Sequence, residues 1–263
     1  KKLKQLIGDQ NVLTSEWKEL QYSKDWRYGV RSKLAALKPN KLSDIWRILQ
    51  ICAKENIIII MQAANTGLTG GSTPCGNDYD RPIIVINTML INNIHIIKEG
   101  SQIVSLTGST LYDLEKKLKP YGREPHSIIG STSIGASIIG GICNNAGGSL
   151  VQRGPSYTEM ALYAKINKNG NLELVNELGI NLGSSPEEIL DNLQNQNYKE
   201  ADVFNTNKLG SDDKYSEIVR QIDKNTPSRF NSDSRLLYGA SGSAGKIAVF
   251  AVRLDTYISP KEN

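Results

Sequence analysis

The chain has 263 residues, 39% hydrophobic and 22% charged, with a formal net charge of +4; that is ample for a buried core and excludes a disordered or fibrous chain. The small positive surplus is dispersed apart from Lys1, Lys2 and Lys4, and aromatics make up 6%, which argues against nucleic acid as a partner, since that needs a basic stripe interleaved with aromatics. Cys52, Cys75 and Cys143 form no C-x-x-C pair, which argues against a disulfide framework and a structural zinc site and fits reduced thiols; no metal is expected, and the apolar runs are too short to span a bilayer.

Residues 1–38 read as polar helix and loop. From Pro39 the pattern sharpens: Ser43 is placed to cap a helix whose Ile45, Trp46, Leu49, Cys52 and Ala53 recur at helical spacing. Ile57 to Met61 and Ile83 to Asn87 are continuous β-branched runs, the mark of strands buried on both faces, and favour a parallel sheet. Helix followed by buried strand gives the first hundred residues α/β character. Ile103 to Thr107 reads as a further strand. Thr110 caps the next helix, with Leu111, Leu114 and Leu118 on one face and Pro120 and Gly122 at its end. Met160 to Asn167 and Leu172 to Val175 flank Asn169-Gly170, a hairpin signal. Ser185, Pro186, Glu187 and Glu188 mark a helix start. Residues 196–235 are polar and weakly periodic, with one helix expected near Tyr215 to Ile222. Residues 247–254 read as the last strand, and the later part of the chain as antiparallel α+β.

Twelve of the 23 glycines fall in three short stretches beside apolar runs, so these stretches carry the functional signal. The first, Ala63 to Ser72, follows the Ile57–Met61 run. Glycines let successive N–H groups converge on an anion, and Thr66, Thr69 and Ser72 add hydroxyls, so a diphosphate could sit here without a lysine; a tight surface turn is the alternative. The second runs from Gly130 to Gly148. Within a helix, Gly140 and Gly141 would each cost about 1 kcal/mol relative to alanine, which points to backbone access for a ligand or a neighbouring element. The third, Gly239 to Lys246, is not a P-loop: five residues separate Gly239 from Gly245, and Ile247 stands where Ser or Thr is needed. The G-x-G-x-x-G fingerprint is also missing. Several loops jointly wrapping a dinucleotide in another fold is the remaining reading.

The Asn65–Ser72 loop, the Gly130–Gly148 segment and the Ser241–Leu254 loop and strand resemble the FAD-binding domain of the vanillyl-alcohol oxidase and p-cresol methylhydroxylase (PCMH-type) family. Gly76 to Arg81, Gly122 to Ser127, Gly141 to Asn145 and Gly148 to Pro155 are similar to its quinone-dependent, respiratory D-lactate dehydrogenase branch. The resemblance covers most of the chain and is weakest in 1–25 and 185–225. It implies an α+β, PCMH-type fold of two α+β subdomains: about 29–108, with a small parallel sheet, and about 109–255, mainly antiparallel. A helical and loop segment, 1–28, precedes them and a tail, 256–263, follows.

The resemblance also implies FAD lying between the subdomains. The matching contact positions are Ala63, Ala64, Asn65, Thr66, Gly67, Gly71, Ser72, Gly130, Ser137, Gly147 and Val249, the last through its backbone. The family's covalently linked members tether FAD through a His or Cys of the first loop; this loop has neither, so non-covalent FAD is implied. The implied chemistry is oxidation of D-lactate to pyruvate by hydride transfer to flavin N5, with electrons passed to a membrane quinone. The implied place is peripheral, on the cytoplasmic side of the bacterial inner membrane, with this fragment itself soluble. Full-length members continue into a cap domain that supplies the substrate pocket and catalytic residues. This chain starts at Lys1 without a methionine and stops at Asn263, so the cap is expected to be absent and the catalytic residues to lie outside it. His95 and His126, its only histidines, are expected to be structural, and Arg123 and Arg153 to make surface pairs rather than phosphate contacts. Two alternatives stay open: a flavin-binding module without turnover, and a same-fold dehydrogenase for another 2-hydroxy acid such as glycolate.

Overall fold

A computed structural model describes residues 1–15, 20–24, 27, 34–76, 79–128, 131–150, 152–226 and 233–260. A short helix, α1 (Lys2–Ile7), precedes strands β1 (Val12–Leu13) and β2 (Leu34–Leu37). Helix α2 (Leu42–Lys54), β3 (Ile58–Gln62) and β4 (Ile83–Asn87) complete the first layer. The strand order is β1-β2-β4-β3, with β2 and β3 parallel to β4 and β1 antiparallel to β2. Central β4 is buried on both faces: Ile84 and Ile86 enter the main core, while Ile83 and Val85 meet Tyr22 and Ala36. That position accounts for its continuous β-branched run.

Three expectations change here. The first 38 residues hold β1 and β2 as well as helix; these strands are too short for period-two patterning to show. β3 is a half-buried edge strand of the described sheet, not a strand buried on both faces. Ser43 does not cap α2; it is buried inside the first turn, and the Leu42 N–H donates instead to Gln194 Oε1 at 2.6 Å. A cap supplied from the far end of the sequence leaves no local signature.

The chain continues through β5 (Ile94–Ile97), β6 (Gln102–Leu106), α3 (Leu111–Leu118), β7 (Arg123–Glu124), α4 (Ile138–Cys143), β8 (Ala161–Ile166) and β9 (Leu172–Asn176). Then come α5 (Pro186–Gln194), the single turn α6 (Tyr215–Ile218), β10 (Ala248–Asp255) and β11 (Tyr257–Ile258). Thr110 accepts from the Asp113 N–H and Ser185 from the Glu188 N–H, so both expected caps form. The second sheet is antiparallel, in the order β5-β6-β10-β8-β9, and β7 pairs with β11. Its first strands come from 94–106, and β6 pairs with β10, its partner from the far end of the chain.

The main core lies between the sheets, where Ile45, Ile48 and Leu49 of α2 meet Leu106, Leu162, Phe250 and Leu193. On the far face of the second sheet, Leu114 of α3 and Ile138 and Ile142 of α4 pack on Tyr163, Val249 and Val252. The β8–β10 register shifts between Val249 and Ala251, so Phe250 and Ala251 both join the main core while Val249 faces α4. Arg253 is fully buried; its guanidinium donates to Gln102 Oε1 at 2.9 and 2.7 Å and to the carbonyls of Leu178, Gly179 and Phe204 at 3.0, 3.3 and 3.1 Å.

Candidate functional site

A groove of about 400 Å³ opens where β3 and β4 end against α4 and β10. One wall is the first glycine loop, with Thr88 and Thr107 beneath it; the other is Ser137, α4, Ala146, Ala244, Gly245 and Val249. All three glycine stretches therefore meet at one place. Ala63, Ala64, Asn65, Thr66, Gly67, Gly71, Ser72, Ser137 and Val249 line the groove. Gly147 follows lining residue Ala146, and Gly130 lies outside the described residues, next to lining residue Ser131.

The first loop leaves β3 through Asn65, held at φ 55°, a left-handed conformation that asparagine tolerates. Its side chain is committed to the loop's own shape: Ser72 Oγ donates to Asn65 Oδ1 at 2.7 Å, and Asn65 Nδ2 donates to the Lys24 carbonyl at 2.9 Å. In the second stretch, Ser137 caps α4 by accepting the Gly140 N–H at 3.2 Å. Gly140 and Gly141 lie within α4. A side chain at Gly140 would meet Ser137 Oγ at 2.5 Å, and one at Gly141 would meet Ser156 Oγ at 3.4 Å, so close packing as well as the groove accounts for that pair.

Three other glycines have no such reason. A Cβ at Gly67 or Gly147 would meet nothing within 4 Å, and at Gly71 only Thr69 Oγ1 at 4.0 Å. None of the three has a positive φ. Neither backbone conformation nor crowding within the described chain demands glycine there. Gly67 and Gly71 line the groove and Gly147 lies next to lining residue Ala146, so side chains at the first two would project over bare main chain that a ligand could approach.

No charged side chain lines the groove among the described residues. Its polar lining is neutral: the hydroxyl residues Thr66, Thr69, Ser72, Thr88, Thr107, Ser131 and Ser137 and the amides Gln62, Asn65 and Asn144. Cys143 also lines it, and burial pushes its thiol pKa up. Thr88 and Thr107 carried no sequence signal for this place, because only tertiary packing brings them to it, whereas Cys143 lies within the second glycine stretch.

The histidines and the two arginines singled out from sequence lie elsewhere. His95 Nδ1 is 2.8 Å from Tyr198 Oη, and burial depresses its pKa to about 4. His126 is buried with neither ring nitrogen hydrogen-bonded, and burial lowers its pKa to about 4, helped by Arg153. Arg153 pairs with Glu124, donates to the Pro125 carbonyl at 2.9 Å and stands 4.1 Å over the Tyr257 ring. Arg123 donates to Thr256 Oγ1 and O at 2.5 and 2.7 Å. Both arginines thus fasten the β7–β11 corner. Among the described residues no helix is long and apolar enough to cross a membrane, and no cluster of His, Cys, Asp and Glu is placed to hold a metal.

Residues 34–171 match the FAD binding domain family, and the chain belongs to that family, whose cofactor is FAD. The open space at Gly67, Gly71 and Gly147 fits such a ligand. The chain is 55% identical over 261 residues to the quinone-dependent D-lactate dehydrogenase of Haemophilus influenzae, a match covering 99% of this chain and 46% of that protein. It is 52% identical over 259 residues to the quinone-dependent D-lactate dehydrogenase of Escherichia coli, covering 98% and 45%. It thus spans about half the length of these curated relatives. Its fold is similar to that of p-cresol methylhydroxylase with substrate bound, at TM-score 0.59 and 13% identity over 99% of this chain and 43% of that one. That likeness concerns architecture, and the architecture is the expected α+β, PCMH-type fold.

Proposed function

We propose that this chain is the flavin-holding part of a quinone-dependent D-lactate dehydrogenase, with FAD bound non-covalently along the groove. The observation that carries the reading is the set of glycines, Gly67, Gly71 and Gly147, whose missing side chains nothing else in the described chain explains. The similarity to D-lactate dehydrogenases over nearly the whole chain supports the substrate.

Bound FAD supplies the hydride-accepting chemistry for oxidising D-lactate to pyruvate, with a membrane quinone as the final acceptor. The chain's own part is to hold and orient it. Residues 63–67 and 71–72 line a groove with no charged side chain among the described residues, so a diphosphate there would be met by main-chain dipoles and hydroxyls. Ser137 Oγ accepts the Gly140 N–H and keeps its own proton to donate. Beside the β10 bulge, Val249 lines the groove, and FAD would meet it through its backbone. The first loop has no His or Cys, and the Cys143 thiol, pushed toward its protonated form by burial, is a poor nucleophile, which supports a non-covalent cofactor.

With no acid or base lining the groove among the described residues, the proton of the lactate hydroxyl is taken by a residue beyond this chain. A membrane quinone as acceptor would be met by a whole protein lying peripherally at the membrane, for which the family resemblance supports the cytoplasmic face. The full-length protein is expected to be yellow and to release FAD on acid precipitation. It should bind FAD with an affinity that changes little with salt, and oxidise D-lactate in preference to glycolate and longer 2-hydroxy acids with a quinone analogue as acceptor. A colourless protein that takes up no FAD sinks the reading. Preference for another acid sinks the substrate alone, and equal turnover by the 263-residue chain sinks the placing of the base.

A further inference from the structure

Beneath the first loop lies a buried pair of side-chain amides, of which Gln62 also borders the groove and Asn87 does not. Gln62 ends β3 and Asn87 ends β4, and the two stand opposite each other in the parallel register. Gln62 Nε2 donates to the Tyr22 carbonyl at 3.0 Å and to the Ser72 carbonyl at 2.8 Å. Asn87 Nδ2 donates to Gln62 Oε1 at 3.3 Å and to the Ala63 carbonyl at 3.1 Å, and Asn87 Oδ1 accepts the Met89 N–H at 3.3 Å. Thr88 carries the network to the second sheet: its N–H donates to the Gln62 carbonyl at 2.9 Å and its hydroxyl to the Thr107 carbonyl at 3.2 Å.

The loop is therefore held at both ends by side chains from beneath: at its entry, the Ala63 carbonyl, by Asn87, and at its exit, the Ser72 carbonyl, by Gln62. In a trans peptide the C=O and the next N–H point in opposite directions. Fixing the Ala63 carbonyl toward Asn87 turns the Ala64 N–H away from it, and Ala64 lines the groove. Packing alone would be met by two apolar side chains at these strand ends. Two primary amides that donate to carbonyls of the loop and its neighbours set peptide-plane directions as well.

We infer that Gln62 and Asn87 are positioning residues, which preform the first loop so that its amides face the groove before FAD arrives. The inference rests on FAD being the groove's ligand. Its test uses the full-length protein, stripped of flavin, with Asn87→Asp and Gln62→Met. The first keeps the side chain's shape and the acceptor for the Met89 N–H but loses both donations; the second removes the donors without adding charge. FAD is titrated by flavin fluorescence, and hydrogen exchange is followed by mass spectrometry on the peptide covering 63–72. Leu193→Ala, which weakens the main core under α5, is the control for stability loss away from the groove. Each amide variant is expected to bind FAD at least about tenfold more weakly, with faster exchange confined to 63–72, while the control keeps the parent affinity. Parent-like affinity in a folded amide variant overturns the inference. So does loss of folding in both variants, since the pair would then serve the fold; if one alone fails to fold, the other decides. A parent protein that takes up no FAD counts against the proposed function instead.

Discussion

The glycines of this chain serve two different ends, and single substitutions separate them. At Gly108 a Cβ would collide with the Thr88 carbonyl and lie 2.8 Å from Met89 Cα, where the backbone between the sheets crosses closely. At Gly148 it would strike the Ile128 carbonyl. Backbone cannot yield as the end of a long side chain can, so Gly108→Ala should lower unfolding free energy by roughly 2 kcal/mol, read from urea denaturation of the flavin-free protein. Gly147 has open space around it and no positive φ. Gly147→Ala should leave that stability unchanged within about 0.5 kcal/mol while weakening FAD binding in a fluorescence titration. Reversal of the two results would mean that the space beside Gly147 is not the ligand's.

Among the elements, α2 and β10 show how distant parts of the chain complete one another. Ser43 has the residue type of a local cap, yet the Leu42 N–H is satisfied by Gln194 of α5. Gln194→Ala is therefore expected to cost about 1 kcal/mol in thermal or urea unfolding, and Ser43→Ala clearly less; equal costs would put the cap back on Ser43. β10 plays the same joining part on a larger scale. It inserts between β6 and β8, its bulge leaves Val249 on the groove side, and buried Arg253 secures the carbonyls of Leu178, Gly179 and Phe204.

For the molecule as a whole, two buried histidines set an acid limit. Burial depresses both His95 and His126 to about 4, with Lys117 adding to the effect at the first and Arg153 at the second, while Asp255 opposes it at the second. In the unfolded chain each titrates near 6.5. Between about pH 6.5 and 4 the unfolded state therefore binds more protons than the folded one. Stability should fall as pH drops through that window, by roughly 2 kcal/mol per histidine at pH 5 relative to pH 7.5. Urea unfolding at the two pH values checks this, and His126→Phe should flatten the slope by about half. A parent slope unchanged by that substitution would show that other groups carry it.

Much of this protein was legible in the amino-acid order because the relevant physics is local. Buried β4, the Thr110 and Ser185 caps, the turn at Gly170 and the three glycine stretches each declare themselves within a few residues. The likeness of longer runs to known flavin domains added the fold and the cofactor. Only the folded chain decided that β3 is an edge strand, that β5 and β6 belong with β10, and that Gln194 caps α2. Only the folded chain brought Thr88 and Thr107 to the groove and set Gln62 against Asn87 beside it. These are contacts between residues far apart in sequence, and neither short-range periodicity nor residue type records which distant partner a strand end or an unpaired N–H will find.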